Sequence, residues 1–340
     1  MMNFQQITSP EDFKALAAEW NQLLAESQTD VPFLRYEYLQ AWWQTRGGGE
    51  WPQADLALIT ARQDGQLKAI APLFFTHNLD DQPALMLLGS IEISDYLDLI
   101  VRPQDLPEFV SGLLDYLGSD SAGAWEVLDW YNLPEDSPTL PVLKTAAAAR
   151  GLRFTQEKFR PALSVQLPGD FEQYLSGIDK KQRHEIRRKM RRANEYELPV
   201  RWYIVEDETT LDAEIDDFLD LMANDPEKDA FLTDVMYTQM RTSVHAAFKE
   251  GWLQLAFLEV NGKKACGYLN FDYNNRIWVY NSGLNFDYSE ISPGWVLLGH
   301  LLQWANEHGR SEFDFMRGDE AYKYKFGGRD HPVLRVKISR

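Results

Sequence analysis

The chain has 340 residues, with 34 Lys+Arg against 52 Asp+Glu and a formal net charge of −18. That balance excludes a protein whose main partner is duplex nucleic acid, because phosphate neutralisation needs a basic surface. The content of 44% hydrophobic and 13% aromatic residues excludes general disorder. A single cysteine, Cys266, excludes an intrachain disulfide and a cysteine-rich metal site. The length suggests roughly two domains. The opening MMNFQQITSPEDFKALAAEW has no basic n-region and no apolar h-region, and no run approaches about 18 apolar residues. Neither a signal peptide nor a membrane span is expected, and a cytoplasmic location is the default.

In the first half, residues 10–27 have helical apolar spacing after Ser9 and Pro10, and 35–45 predict a second helix closed by Gly47-Gly48-Gly49. Residues 56–61 and 67–75 read as strands about an Asp64-Gly65 turn. A strand at 96–101, an amphipathic helix at 107–118 and a strand at 125–131 follow. The Pro-rich 132–141 reads as a loop, with a helix ending near Gly151.

The second half repeats this order. Residues 170–196 predict a helix broken before Pro199, then a strand at 200–205 and helices at 211–223 and 234–249. Three strands follow at 252–260, 264–273 and 276–280, joined by Asn261-Gly262 and Asn274-Asn275. A helix at 293–308 ends at Gly309, and 312–316 is a strand. LALITARQDGQLKAIAPLFF aligns with LAFLEVNGKKACGYLNFDY, PEFVSGLLDYL with PGWVLLGHLLQWA, and WEVLDWYN with EFDFMRGD. Duplication of a whole α/β unit accounts for this, with domains at 1–160 and 161–340.

The meander–helix–strand order, the helix SPGWVLLGHLLQWANEHG and the ending FDFMRGDEAYKYKFGG resemble the acyltransferase superfamily related to the GCN5 acetyltransferases. EWNQLLAES, PFLRYEYLQAWW and AIAPLFF fit the same pattern. Within that superfamily the chain is similar to a tandem-domain branch. It includes cellulose-biosynthesis-associated acetyltransferase-like proteins and Fem-type peptidoglycan aminoacyltransferases. The resemblance implies two tandem acyl-CoA N-acyltransferase-like α/β domains, each a twisted mixed sheet flanked by helices. It also implies transfer of an acyl or aminoacyl group to an amine without a metal or a covalent enzyme intermediate. No tightly bound cofactor is implied; acetyl-CoA or another acyl-CoA would be a co-substrate, entering where two neighbouring strands splay.

On this resemblance the donor's pyrophosphate would meet the helix that opens at Ser292, Gly294 and Trp295. Free N–H groups and the helix dipole favour an anion there, and Gly294 allows close approach. Equally, Ser292 is an N-cap, Pro293 fits the first turn and Gly294 permits tight packing. No Gln/Arg-x-x-Gly-x-Gly/Ala loop occurs between Tyr280 and Val296; a donor carried on tRNA would not need one. His300, Gln303 and Glu307 form a polar stripe read as an exposed edge.

Amine acylation needs a neutral amine, a positioned carbonyl and a stabilised oxyanion. Asp314 or Asp319 could take the amine's proton, Tyr322 could return one to the leaving group, and Lys323 or Arg317 could hold a phosphate or oxyanion. Alternatively Arg317 and Asp319 pair in a solvated loop. The Fem-type resemblance implies a lysine near the transfer site, with Lys323 or Lys325 as counterpart. Asn270, Asp272, Tyr280 and Asn281 could line an acceptor cleft or the wet side of a sheet, and Asp95, Tyr96 and Asp98 are analogous candidates in the first half.

Residues 180–192, KKQRHEIRRKMRR, carry eight Lys/Arg. They could bind a nucleotide-linked sugar, a tRNA backbone or an anionic lipid head, or be offset by the acidic segment 207–220. A metal hydrolase is not indicated, since no HExxH occurs, nor a serine hydrolase, since no GxSxG occurs. The expected function is N-acyl transfer, with acetyl from acetyl-CoA, to an amino sugar or cell-envelope precursor. An aminoacyl-tRNA-dependent transferase and a non-catalytic binding member are the alternatives.

Overall fold

The computed structural model describes residues 2–119 and 124–339. Two compact units emerge, one of residues 1–161 with 331–340 and one of residues 162–330.

The first unit contains β1 (Asn3–Ile7), α1 (Pro10–Ala15), α2 (Ala17–Leu24), α3 (Tyr36–Thr45), β2 (Asp55–Leu56) and β3 (Leu58–Gln63). It continues with β4 (Gln66–Ala71), β5 (Leu73–His77), β6 (Pro83–Leu87), β7 (Ile100–Val101), α4 (Leu106–Leu117), β8 (Val127–Pro134), α5 (Thr139–Ala148) and β9 (Arg153–Arg160). Ser9 caps α1 by accepting from the Asp12 N–H, but the 10–27 helix breaks at Leu16 into two. The expected 67–75 strand divides at Pro72, which has no N–H to give a ladder. Its halves join different sheets, and the Pro72 carbonyl instead accepts from Leu88 N at 2.7 Å. Of the strand expected at 96–101 only Ile100–Val101 forms, while β8 extends into the stretch read as a loop.

The second unit contains β10 (Ala162–Gln166), α6 (Phe171–Gly177), α7 (Lys180–Asn194), β11 (Val200–Ile204), α8 (Leu211–Ala223), α9 (Pro226–Phe231), α10 (Asp234–Lys249) and β12 (Leu253–Val260). Then come β13 (Lys263–Tyr273), β14 (Arg276–Leu284), a 3₁₀ turn (Phe286–Ile291), α11 (Pro293–Glu307), β15 (Glu312–Arg317), α12 (Ala321–Lys325) and β16 (Arg329–Asp330). The 170–196 helix is two helices. Asp179 accepts from Lys181 N and Gln182 N and so starts α7 afresh. Seven strands run in the order β11-β12-β13-β14-β15-β10-β16. All neighbours are antiparallel except β14 and β15, which are parallel and joined through α11. One sheet face packs against α6, α7 and α11 through Ala256, Leu258, Ile277, Val279, Leu297 and Leu301. The other receives α8, whose Phe218 fills the space beside Gly267.

The last ten residues do not belong with the second unit, as the 161–340 boundary supposed. Their alternating VLRVKIS forms β17 (Val333–Ser339), which lies between β8 and β9 in the first unit's sheet. Arg335 on β17 binds the fully buried Asp129 of β8 at 2.8 and 2.7 Å, and Asn78 supplies a further donor to that carboxylate. No described helix is long and apolar enough to cross a membrane.

Candidate active site

β14 and β15 pair at three positions, Arg276↔Glu312, Ile277↔Phe313 and Trp278↔Asp314, and then part. Irregularities on both strands coincide with the parting. On β14 the register against β13 slips between Val279 and Asn281, leaving Tyr280 as an extra residue. On β15 the register against β10 slips around Phe315, and Met316 takes a left-handed φ of 59°. Asp314 Oδ1 holds that turn by accepting from Met316 N at 2.7 Å. Beyond Asp314, β15 follows β10.

The β14 edge of the opening carries Asn281 and Ser282, both half-buried. Lys228, on the short helix α9, donates Nζ to Asn281 Oδ1 at 2.9 Å and to the Ser282 carbonyl. Burial pushes the Lys228 ammonium down, while the charges of Asp225 and Glu320 act the other way. On the β15 edge Lys323 is 2% exposed and its Nζ bonds the carbonyls of Met316 (3.2 Å), Arg317 and Gly318 (3.3 Å). Lys323 therefore closes the carbonyl end of β15 rather than projecting into solvent. The exposed Glu320 carboxylate lies 2.9 Å from it. Glu320 folds back over Gly318, whose φ of 108° and missing Cβ leave room for that carboxylate. Tyr322 packs edge-on to Phe315, and burial, with the charge of Glu320, pushes its phenol well above the ordinary range. Tyr268 is likewise raised by burial, with Tyr322 and Glu320 adding to the effect. Lys323, Glu320, Tyr322 and Tyr268 thus gather on one side of the opening, with Lys228 across from them.

The remaining candidates are distributed as follows. Asp314 is buried beneath the opening and Asp319 is exposed on the loop after β15. Arg317 is half-buried and gives its carbonyl to Lys323. Ser292 has a left-handed φ of 54° and makes no side-chain cap, contrary to the N-cap reading. A Cβ on Gly294 would meet Leu284 Cδ2 at 2.8 Å, so the glycine lets α11 approach β14. Trp295 lies tilted against Phe326, with Lys189 Nζ 4.4 Å and Lys325 Nζ 5.8 Å from its ring, and its enclosed indole N–H has no partner among the described residues. Asn270 does not line a cleft. It is fully buried and donates to Gln254 on β12 at 2.9 Å. Asp272 sits at the opposite end of β14 from the opening, where both its oxygens bind Arg310 at 2.6 Å. Tyr280 turns its ring to Phe271, on the face opposite Tyr268. Asp95 and Tyr96 are buried in the 88–99 loop of the first unit, Tyr96 stacked on His331. Lys228 and Glu320 were missed as site residues: Lys228 stands alone in a helix remote in sequence, and Glu320 is one acid among several in a charged loop.

The helix α7 buries Ile186 and Ala193 and packs Met190 beside Gly299 of α11. Lys180, Lys181, Arg191 and Arg192 are exposed and have no ion-pair partner among the described residues. The acidic residues of α8 do not offset them; Asp212, Glu214, Asp216 and Asp217 bind Arg241, His245 and Lys264 instead. His300 is not simply an exposed edge, since it stacks on Trp202 at 5.4 Å and burial lowers its pKa to about 4.

The parallel pair β14–β15 thus parts beside the half-buried Lys228 and the buried Lys323, and α11 joins the two strands. Residues 180–324 match the family model described as an acetyltransferase (GNAT) domain. The chain carries an acetyltransferase (GNAT) domain in its second unit. Its fold is shared along nearly its whole length with FemX, at 12% identity and a TM-score of 0.67, covering 98% of this chain and 96% of that one. The C-terminal domain of a putative lysylphosphatidylglycerol synthetase from Agrobacterium fabrum is similar at 13% identity and a TM-score of 0.57, covering 96% and 92%. L-PGS from Bacillus licheniformis is similar at 11% identity and a TM-score of 0.55, covering 98% and 92%. No curated protein matches by sequence.

Proposed function

We propose that the chain moves an acyl group, acetyl from acetyl-CoA in the first instance, to the amine of an amino sugar or cell-envelope precursor at the opening between β14 and β15. The observation that carries this reading is the parting of the two strands after Trp278 and Asp314, with Lys228, Lys323 and Glu320 at its edges. The donor's phosphates would bind at the start of α11, where Lys189 and Lys325 lie over the Trp295 ring and supply positive charge. Glu320 takes the amine's proton, directly or through a water, as the nitrogen bonds to the acyl carbon. Tyr322, kept protonated by its burial, returns a proton to the sulfur as the C–S bond breaks. Lys323 holds the strand end and the Glu320 carboxylate in register. The envelope acceptor is supported by the likeness in fold to FemX and to the C-terminal domain of a putative lysylphosphatidylglycerol synthetase.

A second reading, an aminoacyl-tRNA donor, draws on the unpaired cations of α7 and on Asp287 and Glu290, which put negative charge just ahead of α11. Thermal unfolding with and without acetyl-CoA separates the two. Binding at a hundredfold excess over Kd adds about 2.7 kcal/mol of stability, and thiol release with glucosamine as acceptor then reports transfer. Absence of any shift, with salt-dependent binding of charged tRNA in its place, would move the assignment to the second reading.

A further inference from the structure

In the first unit part of a sheet edge is left uncovered. β1 flanks β3 as far as the pair Ile7↔Leu58, and the chain then turns away through Thr8 into α1. β2 continues the edge of β3, since Asp55↔Phe75, Leu56↔Phe74 and Ile59↔Ala71 belong to one register. Ala57 N–H bonds the Leu73 carbonyl at 3.1 Å. By antiparallel alternation Leu56 therefore turns its N–H and C=O towards the edge that β1 has left. Neither group has a hydrogen-bond partner among the described residues, although Leu56 is only 4% exposed. A buried main-chain pair left open in this way is costly.

Leu56 lines a cavity of about 510 Å³. Phe75 and Leu85, in register across β5 and β6, give it an apolar side. Arg46, also in its lining, closes α3 with a left-handed φ of 55°, a place that glycine usually takes. Its guanidinium lies 3.5 Å from the centre of the Trp43 ring, and one amino group donates to the Trp43 carbonyl. Nε and the other amino group have no partner among the described residues. The charge of Asp55 acts on Arg46, yet no ion pair joins the two among the described residues. An open strand edge, an apolar wall and a half-buried cation with donors to spare thus meet in one cavity. The slot along β2 is stopped at Leu58 by β1, so a strand running through would collide there while a chain that ends would not.

We infer that this cavity takes the carboxy-terminal tail of a partner protein, which adds to the Leu56 edge as a short strand, sets its terminal carboxylate on Arg46 and lays an apolar last side chain against Phe75 and Leu85. None of these residues takes part in the acyl transfer proposed above.

The test uses the full chain and a fluorescein-labelled peptide ending in Ala-Val-Leu, read by fluorescence anisotropy, with hydrogen exchange at the Leu56 amide followed by NMR. The free acid binds and the carboxy-terminal amide binds at least about tenfold more weakly. Arg46→Gln removes the preference for the acid, and Arg46→Lys keeps part of it. Bound peptide slows exchange at Leu56, and N-methylation of its last three residues abolishes binding. Equal binding of acid and amide by the wild type overturns the inference, and needs no variant to fold. So does unchanged exchange at Leu56, or no binding at millimolar peptide. Unlabelled Ala-Val-Leu that binds as tightly, and loses its affinity on N-acetylation, would place an ammonium on Asp55 and replace the protein tail by a small free peptide.

Discussion

Each unit contains a parallel strand pair that separates almost as soon as it forms, and the two gaps meet different fates. In the first unit β6 and β8 pair at Ala84↔Val127 and Leu85↔Leu128 only. The chain from 88 to 99 then fills the space. Asn132 Nδ2, from a residue with a left-handed φ of 63°, bonds the carbonyls of Ile91 (2.9 Å) and Ser94 (2.8 Å), and Leu97 N bonds the Asn132 carbonyl. Trp51 and Tyr38 bond the carbonyls of Ser90 and Ile93. In the second unit the chain after β14 turns directly into the 3₁₀ turn and α11, and the parted edges carry Lys228, Asn281, Lys323 and Glu320. The same backbone device serves packing where a loop satisfies the freed polar groups, and is available for chemistry where side-chain charges satisfy them.

If that contrast is right, damage to the second gap should cost activity and damage to the first should cost stability. Glu320→Gln carries the largest effect, a fall in kcat of about 10²- to 10⁴-fold with stability changed by less than about 0.5 kcal/mol, read from thiol-release kinetics beside thermal unfolding. An equal loss of stability would mean that the carboxylate is structural. His300 supplies a control in the second unit away from the gap. Its folded pKa of about 4 lies below the ordinary 6.5, so the unfolded chain binds more protons between those values. The stability it contributes is complete above pH 6.5 and is lost as pH falls through about 4, at most about 3 kcal/mol. Urea titrations of wild type and His300→Gln across that window should differ in slope, and parallel curves would refute it.

Asp98→Ala strikes the filled gap. The carboxylate is fully buried and accepts from Thr29 and Ser137 hydroxyls at 2.7 and 2.6 Å and from Leu99 N at 2.7 Å, and its burial pushes its pKa up. Removing it leaves those donors unpaired, at about 2 kcal/mol, with kcat per folded molecule unchanged. Loss of turnover without loss of stability would break the division of labour. The smallest effect belongs to Gly318→Ala. The added Cβ would meet the Glu320 carboxylate, and the φ of 108° strains any side chain. Displacing that carboxylate should slow turnover about tenfold while donor binding stays as it was, so equal loss of both would place Glu320 in donor recognition instead.

Much of the fold is legible locally. The turns at Asn261-Gly262 and Asn274-Asn275 and the helices Leu211–Ala223 and Asp234–Lys249 fall where side-chain chemistry and apolar spacing put them. The C-terminal strand is a harder case. VLRVKIS reads as a strand, yet nothing in those residues says that Arg335 will seek Asp129, more than two hundred positions earlier. The candidate site divides in the same way. Asn270 and Asp272 alternate as a polar face should, but their partners Gln254 and Arg310 lie on other elements and take them out of the cleft.

The sequence by itself determined most of the element types, the repeated element order and the charged loop from Arg317 to Lys325, because these depend on spacing and composition over a few turns of chain. Only the tertiary structure decided that the second strand pair parts at Asp314, that Lys323 turns inward and that Lys228 reaches Asn281. Those outcomes depend on register slips and on burial, which are set by what each strand packs against and not by the residues within it.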